Sequence, residues 1–76
     1  MSSGRRRLTI GRHARARMTE RGITTDMITE VVTSPDVTVR RSDGCTEYVG
    51  RTAGGRLKVV IDEQRTPAFI RTAHWV

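Results

Sequence analysis

The chain carries a single cysteine, Cys45, so no disulfide can close within it. That fits a reducing compartment, and the cytoplasm is the expected location. No run of residues is apolar enough to span a bilayer as a helix, so no membrane association is expected. Arg5-Arg6-Arg7 resembles the start of a twin-arginine export signal, but charged residues follow Ile10 where an apolar stretch is needed, and that reading is excluded. Lysine is nearly absent, with Lys58 the only one. Histidine is limited to His13 and His74. Together with Cys45 they lack the spacing of a zinc site, so neither a metal nor a cofactor is expected. A glycine-rich phosphate loop, a nucleophile triad, internal repeats and low-complexity segments are missing as well.

What remains is short, basic and rich in arginine. At 76 residues the chain is expected to form one domain. A chain of this size buries only about 60% of the surface it would expose unfolded, so the core is thin. Hydrophobic residues make up 36%; with the glycines, the apolar share reaches the lower edge of the globular range, and a folded domain is expected rather than a disordered chain. Lys and Arg number 14 against 8 Asp and Glu, a net charge of +6. Arginine forks match phosphate oxygens better than lysine's point charge does. A polyanion, and RNA in particular, is the first partner to consider; a solvated basic surface is the plainer alternative.

Residues 1–7 read as a flexible basic arm ahead of a single α+β domain over 8–76. Leu8-Thr9-Ile10 is compatible with a short first strand. A helix is predicted from Arg12 to Arg21, ended by Gly22 in the left-handed conformation, with Ile23 folding back onto the core. Thr24 or Thr25 caps a second helix from Asp26 to about Thr33, whose Met27, Ile28, Val31 and Val32 share one side. Ser34-Pro35-Asp36 stops it. The period then changes from helical to alternating. Strands are predicted at Val37–Arg41, Thr46–Arg51, Leu57–Ile61 and Phe69–Trp75, with Ser42-Asp43-Gly44 and Ala53-Gly54-Gly55 as tight turns. Leu57–Ile61, almost wholly apolar, is expected at the sheet centre, buried on both faces. The predicted architecture is two N-terminal helices packed on one face of a four-stranded antiparallel meander, with the short N-terminal strand as an open addition.

The first helix concentrates the chemistry. At a helical advance of about 100° per residue, His13, Arg17 and Arg21 fall within about 80° of one another, beside Ala14 and Met18. Groups of this kind aimed toward the protein are costly without partners, and no carboxylate on that face offers one. The expectation is that a phosphate from outside supplies it. Arg21 has an alternative role as an anchor on strand carbonyls or on an acid such as Asp62.

The run His-Ala-x-x-Arg-Met-x-x-Arg-Gly-Ile at His13–Ile23, the amphipathic helix and Ser-Pro-Asp break that follow, the Leu-Lys-Val-Val strand and the terminal strand with Thr72 together resemble the domain-of-unknown-function family 4258. The likeness covers about Leu8 to Trp75. That family is similar in helix-then-meander order to the small ribonuclease toxins of RelE and colicin type. The resemblance implies a metal-independent endoribonuclease of toxin type, or a domain descended from one, with an antitoxin protein as a partner. His13, Arg17, Arg21 and Thr72 sit at motif positions. The place of His74 is often aromatic in the family, so His74 enters on its chemistry, as does Lys58.

Metal-free RNA cleavage needs a base for the 2′-hydroxyl, an acid for the leaving 5′-oxygen and cations on the phosphoryl oxygens. Imidazole titrates near neutrality and suits either proton role. The expected catalytic set is His13 as base, His74 as acid, Arg17 and Arg21 on phosphate and Thr72 orienting the substrate. Arg5, Arg6, Arg7, Arg12 and Lys58 are the expected contacts to a nucleic-acid backbone. Tyr48 has two readings, stacking on a base or packing in the sheet. The alternatives are a module on the same scaffold that binds nucleic acid without turnover, and a protein-interaction domain, such as a homodimer joined through an exposed sheet edge.

Overall fold

Gly11 ends a three-residue strand and turns the chain straight into a helix. The computed structural model describes residues 8–76, so the arm at Arg5, Arg6 and Arg7 lies outside the described residues. The elements are β1 (Leu8–Ile10), α1 (Arg12–Arg21), α2 (Thr25–Thr33), β2 (Val37–Arg40), β3 (Cys45–Thr52), β4 (Gly55–Asp62) and β5 (Ala68–Trp75). The class is α+β, as the periodicities predict. Gly22 closes α1 at φ 69°, its own amide donating to the Thr19 carbonyl and the Ile23 amide reaching the Met18 carbonyl. Thr24, not Thr25, caps α2: its hydroxyl accepts from the Met27 amide at 3.2 Å.

The sheet runs in the order β1-β5-β4-β3-β2. β2 to β5 form the predicted antiparallel meander. The strand count needs correction to five, because β1 joins the sheet parallel to β5, with Leu8, Thr9 and Ile10 opposite Ala68, Phe69 and Ile70. The pairing is parallel because α1 and the whole meander intervene before β5 returns beside β1. It also sets Leu8 and Ile10 against the core. One irregularity interrupts β5: Val60 pairs with Thr72 and Ile61 with Ile70, so Arg71 has no opposite residue.

Both helices cover the same face. Ala14 and Met18 of α1, Ile28, Val31 and Val32 of α2, and Leu57, Val59, Ile61, Ile70 and Ala73 of the sheet form one core cluster. β4 is the central strand. Leu57, Val59 and Ile61 are fully enclosed on its helix side, and on the other side Val60 is buried and Lys58 half-buried. Gly50 lets α2 lie close: a Cβ there would stand 3.6 Å from the Val31 Cα. By strand alternation, Glu47, Val49, Lys58, Val60, Thr72 and His74 point to the opposite face. No described helix covers that face. No helix among the described residues is long and apolar enough to cross a membrane.

Candidate nucleic-acid interface

The direction in which α1 faces the sheet is set by its buried residues, Ala14 and Met18. Their midline lies about 120° from His13, about 80° from Arg17 and about 40° from Arg21. The row of motif side chains therefore rotates from solvent toward the sheet along the helix. His13 is exposed and, among the described residues, has neither a hydrogen bond nor an ion pair. Arg17 is paired with Glu20 at 2.8 Å, one turn away on the surface. The inward face of α1 offers no carboxylate, as expected, but Arg17 finds one off that face in its i,i+3 neighbour.

Arg21 reaches the sheet. Its Nη1 donates to the Ala73 carbonyl at 2.9 Å. The Trp75 indole N–H returns a bond to the Arg21 carbonyl at 2.8 Å. β1 pairs only with Ala68 to Ile70, so the outer edge of β5 beyond that point has no strand beside it among the described residues. Arg21 occupies a carbonyl of that stretch, and the pair of bonds ties the end of α1 to β5. Of the two anchor partners considered, strand carbonyl and Asp62, the carbonyl is the one used; Asp62 is ion-paired with Arg65 at 3.6 Å and accepts from the Gln64 amide.

Thr72 and His74 lie on the far face of β5 from Ala73, and so on the far side of the sheet from the α1 core contacts. The expected catalytic set of His13, Arg17, Arg21, Thr72 and His74 is therefore divided by the sheet. What the fold does bring together is Lys58 and His74, directly opposite in the β4–β5 register, with Thr72 one step along opposite Val60. Directly opposed residues hold their Cβ atoms about 4.5–5.5 Å apart. Lys58 Nζ lies 3.4 Å from Glu47 Oε1, and the other oxygen of Glu47 lies 3.6 Å from Arg41. Lys58, His74, Thr72 and Glu47 are all half-buried, and Arg56 continues the same face, exposed. Arg12 is exposed on α1, away from this group.

A family model described as Domain of unknown function (DUF4258) matches residues 10–75. The chain belongs to this family. No curated protein and no solved structure matches the chain.

The DUF4258 domain also has a concavity that sequence reasoning missed. A hollow of about 390 Å³ opens at the end of β2 and β3, lined by Thr38, Arg40, Arg41, Cys45, Thr46, Tyr48, Glu63 and Gln64. Its lining comes from β2, β3, the turn between them and the β4–β5 loop. Tyr48 packs against the core while its hydroxyl donates to the Glu63 carboxylate. Asp43 accepts from the Cys45 amide at 3.0 Å, and that bond, helped by the Arg41 charge, holds its carboxyl below the usual range. Burial pushes the Cys45 thiol up, with the Asp43 carboxylate adding to it. Glu47 also escaped sequence reasoning. Alternation alone places it beside Val49 and Arg51, and only the β3–β4 register sets it next to Lys58.

Proposed function

We propose that this DUF4258 domain binds RNA on the open face of its sheet and cleaves it without a metal, by attack of the 2′-hydroxyl on the adjacent phosphorus. The observation that carries this reading is the opposition of His74 and Lys58 on the sheet face that no described helix covers, with Thr72 and the Glu47 carboxylate beside them. The net charge of +6 supports it. An antitoxin protein as partner belongs to the same proposal.

Glu47 takes the base role that the sequence suggested for His13. Its carboxylate accepts the 2′-hydroxyl proton as the 2′-oxygen bonds to phosphorus. Protonated His74 gives its proton to the 5′-oxygen as the P–O5′ bond breaks, leaving a 2′,3′-cyclic phosphate and a 5′-hydroxyl. Lys58 stands where it can hold a phosphoryl oxygen as charge develops, and Thr72 orients the ribose or phosphate. Arg56 extends the cationic track along the backbone.

The test is cleavage of single-stranded RNA in excess EDTA, with binding followed by anisotropy in parallel. His74→Ala is expected to abolish cleavage and leave binding nearly intact, Lys58→Ala to weaken both, and His13→Ala to change neither. Affinity falls with salt at a slope of about 0.7 per phosphate neutralised. Binding without any cleavage would reduce the function to an RNA-holding module. Absence of salt-sensitive binding would remove the reading altogether.

A further inference from the structure

We propose that two copies of this chain pair through β2, antiparallel and centred on Thr38. The inference is independent of the RNA-binding reading. β2 is an outer strand of the sheet, and all four of its residues are exposed. Val37 is 43% and Val39 46% exposed, large values for β-branched apolar side chains in a strand. The other edge of the sheet is managed: β1 covers the start of β5, and Arg21 occupies a carbonyl further along. β2 has neither a covering element nor a proline among Val37–Arg40.

The strand has the hydrogen-bonding groups for a second copy. The Arg41 amide donates inward to the Cys45 carbonyl at 2.8 Å. Alternation in an antiparallel ladder then turns the amides of Val37 and Val39 toward β3 and those of Thr38 and Arg40 toward the open edge. The Asp36 amide, just ahead of the strand, breaks the alternation and donates inward to the Val49 carbonyl at 2.8 Å, so Asp36 enters the contact through its side chain alone.

The occupant is a second copy because the strand complements itself. Asp36-Val37-Thr38-Val39-Arg40 reads acid, apolar, threonine, apolar, base. Turned about Thr38, it sets each Val37 against a Val39 and each Asp36 against an Arg40 of the other copy. Among the described residues, neither Asp36 nor Arg40 has an ion-pair partner for its side chain, although both are exposed. The pairing supplies both charges with one, twice over. A two-fold axis of this kind runs through the sheet, so the open faces of the two copies lie on the same side and form one continuous surface. An interface built on one short strand falls at the low end of specific contacts, so the dimer is expected to be concentration-dependent.

A charge swap tests the contact and its register. Sedimentation equilibrium of the full chain, carried to millimolar concentration, should show monomer and dimer in exchange. Asp36→Arg and Arg40→Asp, each alone, set like charges together and should weaken dimerisation about tenfold, a change of roughly 1.4 kcal/mol. The double variant D36R/R40D exchanges the signs on both copies and should recover the wild-type constant. Far-UV circular dichroism checks that each variant is folded, and either single variant reads the contact if the other does not fold. A wild-type chain that stays monomeric, a dimer indifferent to both single changes, or a double variant that fails to recover would each overturn the proposal.

Discussion

Replacing Arg21 with alanine separates the two roles that its place in the motif leaves open. If Arg21 is an anchor, the variant loses the 2.9 Å bond to the Ala73 carbonyl. A hydrogen bond from a charged donor contributes about 1.5–3 kcal/mol. Arg21 is exposed as a residue, and water can replace the lost donor, so the loss falls at or just below the bottom of that range, about 1–2 kcal/mol. The Trp75 indole bonds to the Arg21 backbone and survives the change. In a domain of this size each kcal/mol shifts the melting temperature by about 4–8 °C. A fall of roughly 5–15 °C in the circular dichroism melt is therefore expected. Below the melt, RNA binding and cleavage per folded molecule should match the wild type. Arg21→Lys keeps the charge but not the planar fork and should fall between the two. An unchanged melt combined with lost RNA activity would refute the anchor and return Arg21 to the phosphate.

Gly22→Ala should cost about 1–2 kcal/mol, because Gly22 sits at φ 69° with nothing within 4 Å of a new Cβ; the penalty is backbone strain alone, read as a lower melt with an unchanged spectrum. Gly50→Ala makes only ordinary contacts at 3.5–3.6 Å with Ser34, Pro35 and Val31 and should melt within about 0.5 kcal/mol of wild type, whereas Gly50→Val should force α2 away and melt well below it. The Cys45 thiol should react slowly with a thiol reagent at mildly alkaline pH in the folded chain and rapidly in denaturant, since burial raises its pKa. Because the folded thiol holds its proton more tightly than the unfolded one, this contribution to stability is complete below the ordinary thiol value of about 8.5 and is lost as pH rises through the folded value. Equal labelling rates in the two states would contradict the burial.

The fold was legible wherever local chemistry decides structure. Gly22 needs only its own backbone freedom to end α1, and the apolar side of α2 needs only its spacing. Ser42-Asp43-Gly44 and Ala53-Gly54-Gly55 announce turns without reference to the rest of the chain. β1 was harder, because three residues carry too little periodicity to show a partner. Its parallel pairing with β5 depends on residues sixty positions away. The extension of β3 back to Cys45 follows from its pairing with Asp62, which local sequence cannot display.

The candidate site was less legible for the same reason. A helical wheel gives the angle between His13, Arg17 and Arg21 but not the direction of the sheet, and the 40° step between neighbours in that row is enough to leave one in water, one on a surface glutamate and one on a strand carbonyl. On the strands the wheel's counterpart is alternation, which sorts Thr72 and His74 from Ala73 correctly. Yet alternation is silent on which residue of the next strand stands opposite. The register that sets His74 against Lys58, and Glu47 within ion-pair reach of Lys58, is fixed by the whole meander. An arginine in a helical motif therefore carries two meanings, anchor or ligand, and the sheet's edge decides between them: where β1 stops short, Ala73 leaves a carbonyl that Arg21 fills. The chemistry left accessible lies on the face the helices do not cover, and it is there that a phosphate would find a lysine, a histidine and a carboxylate together.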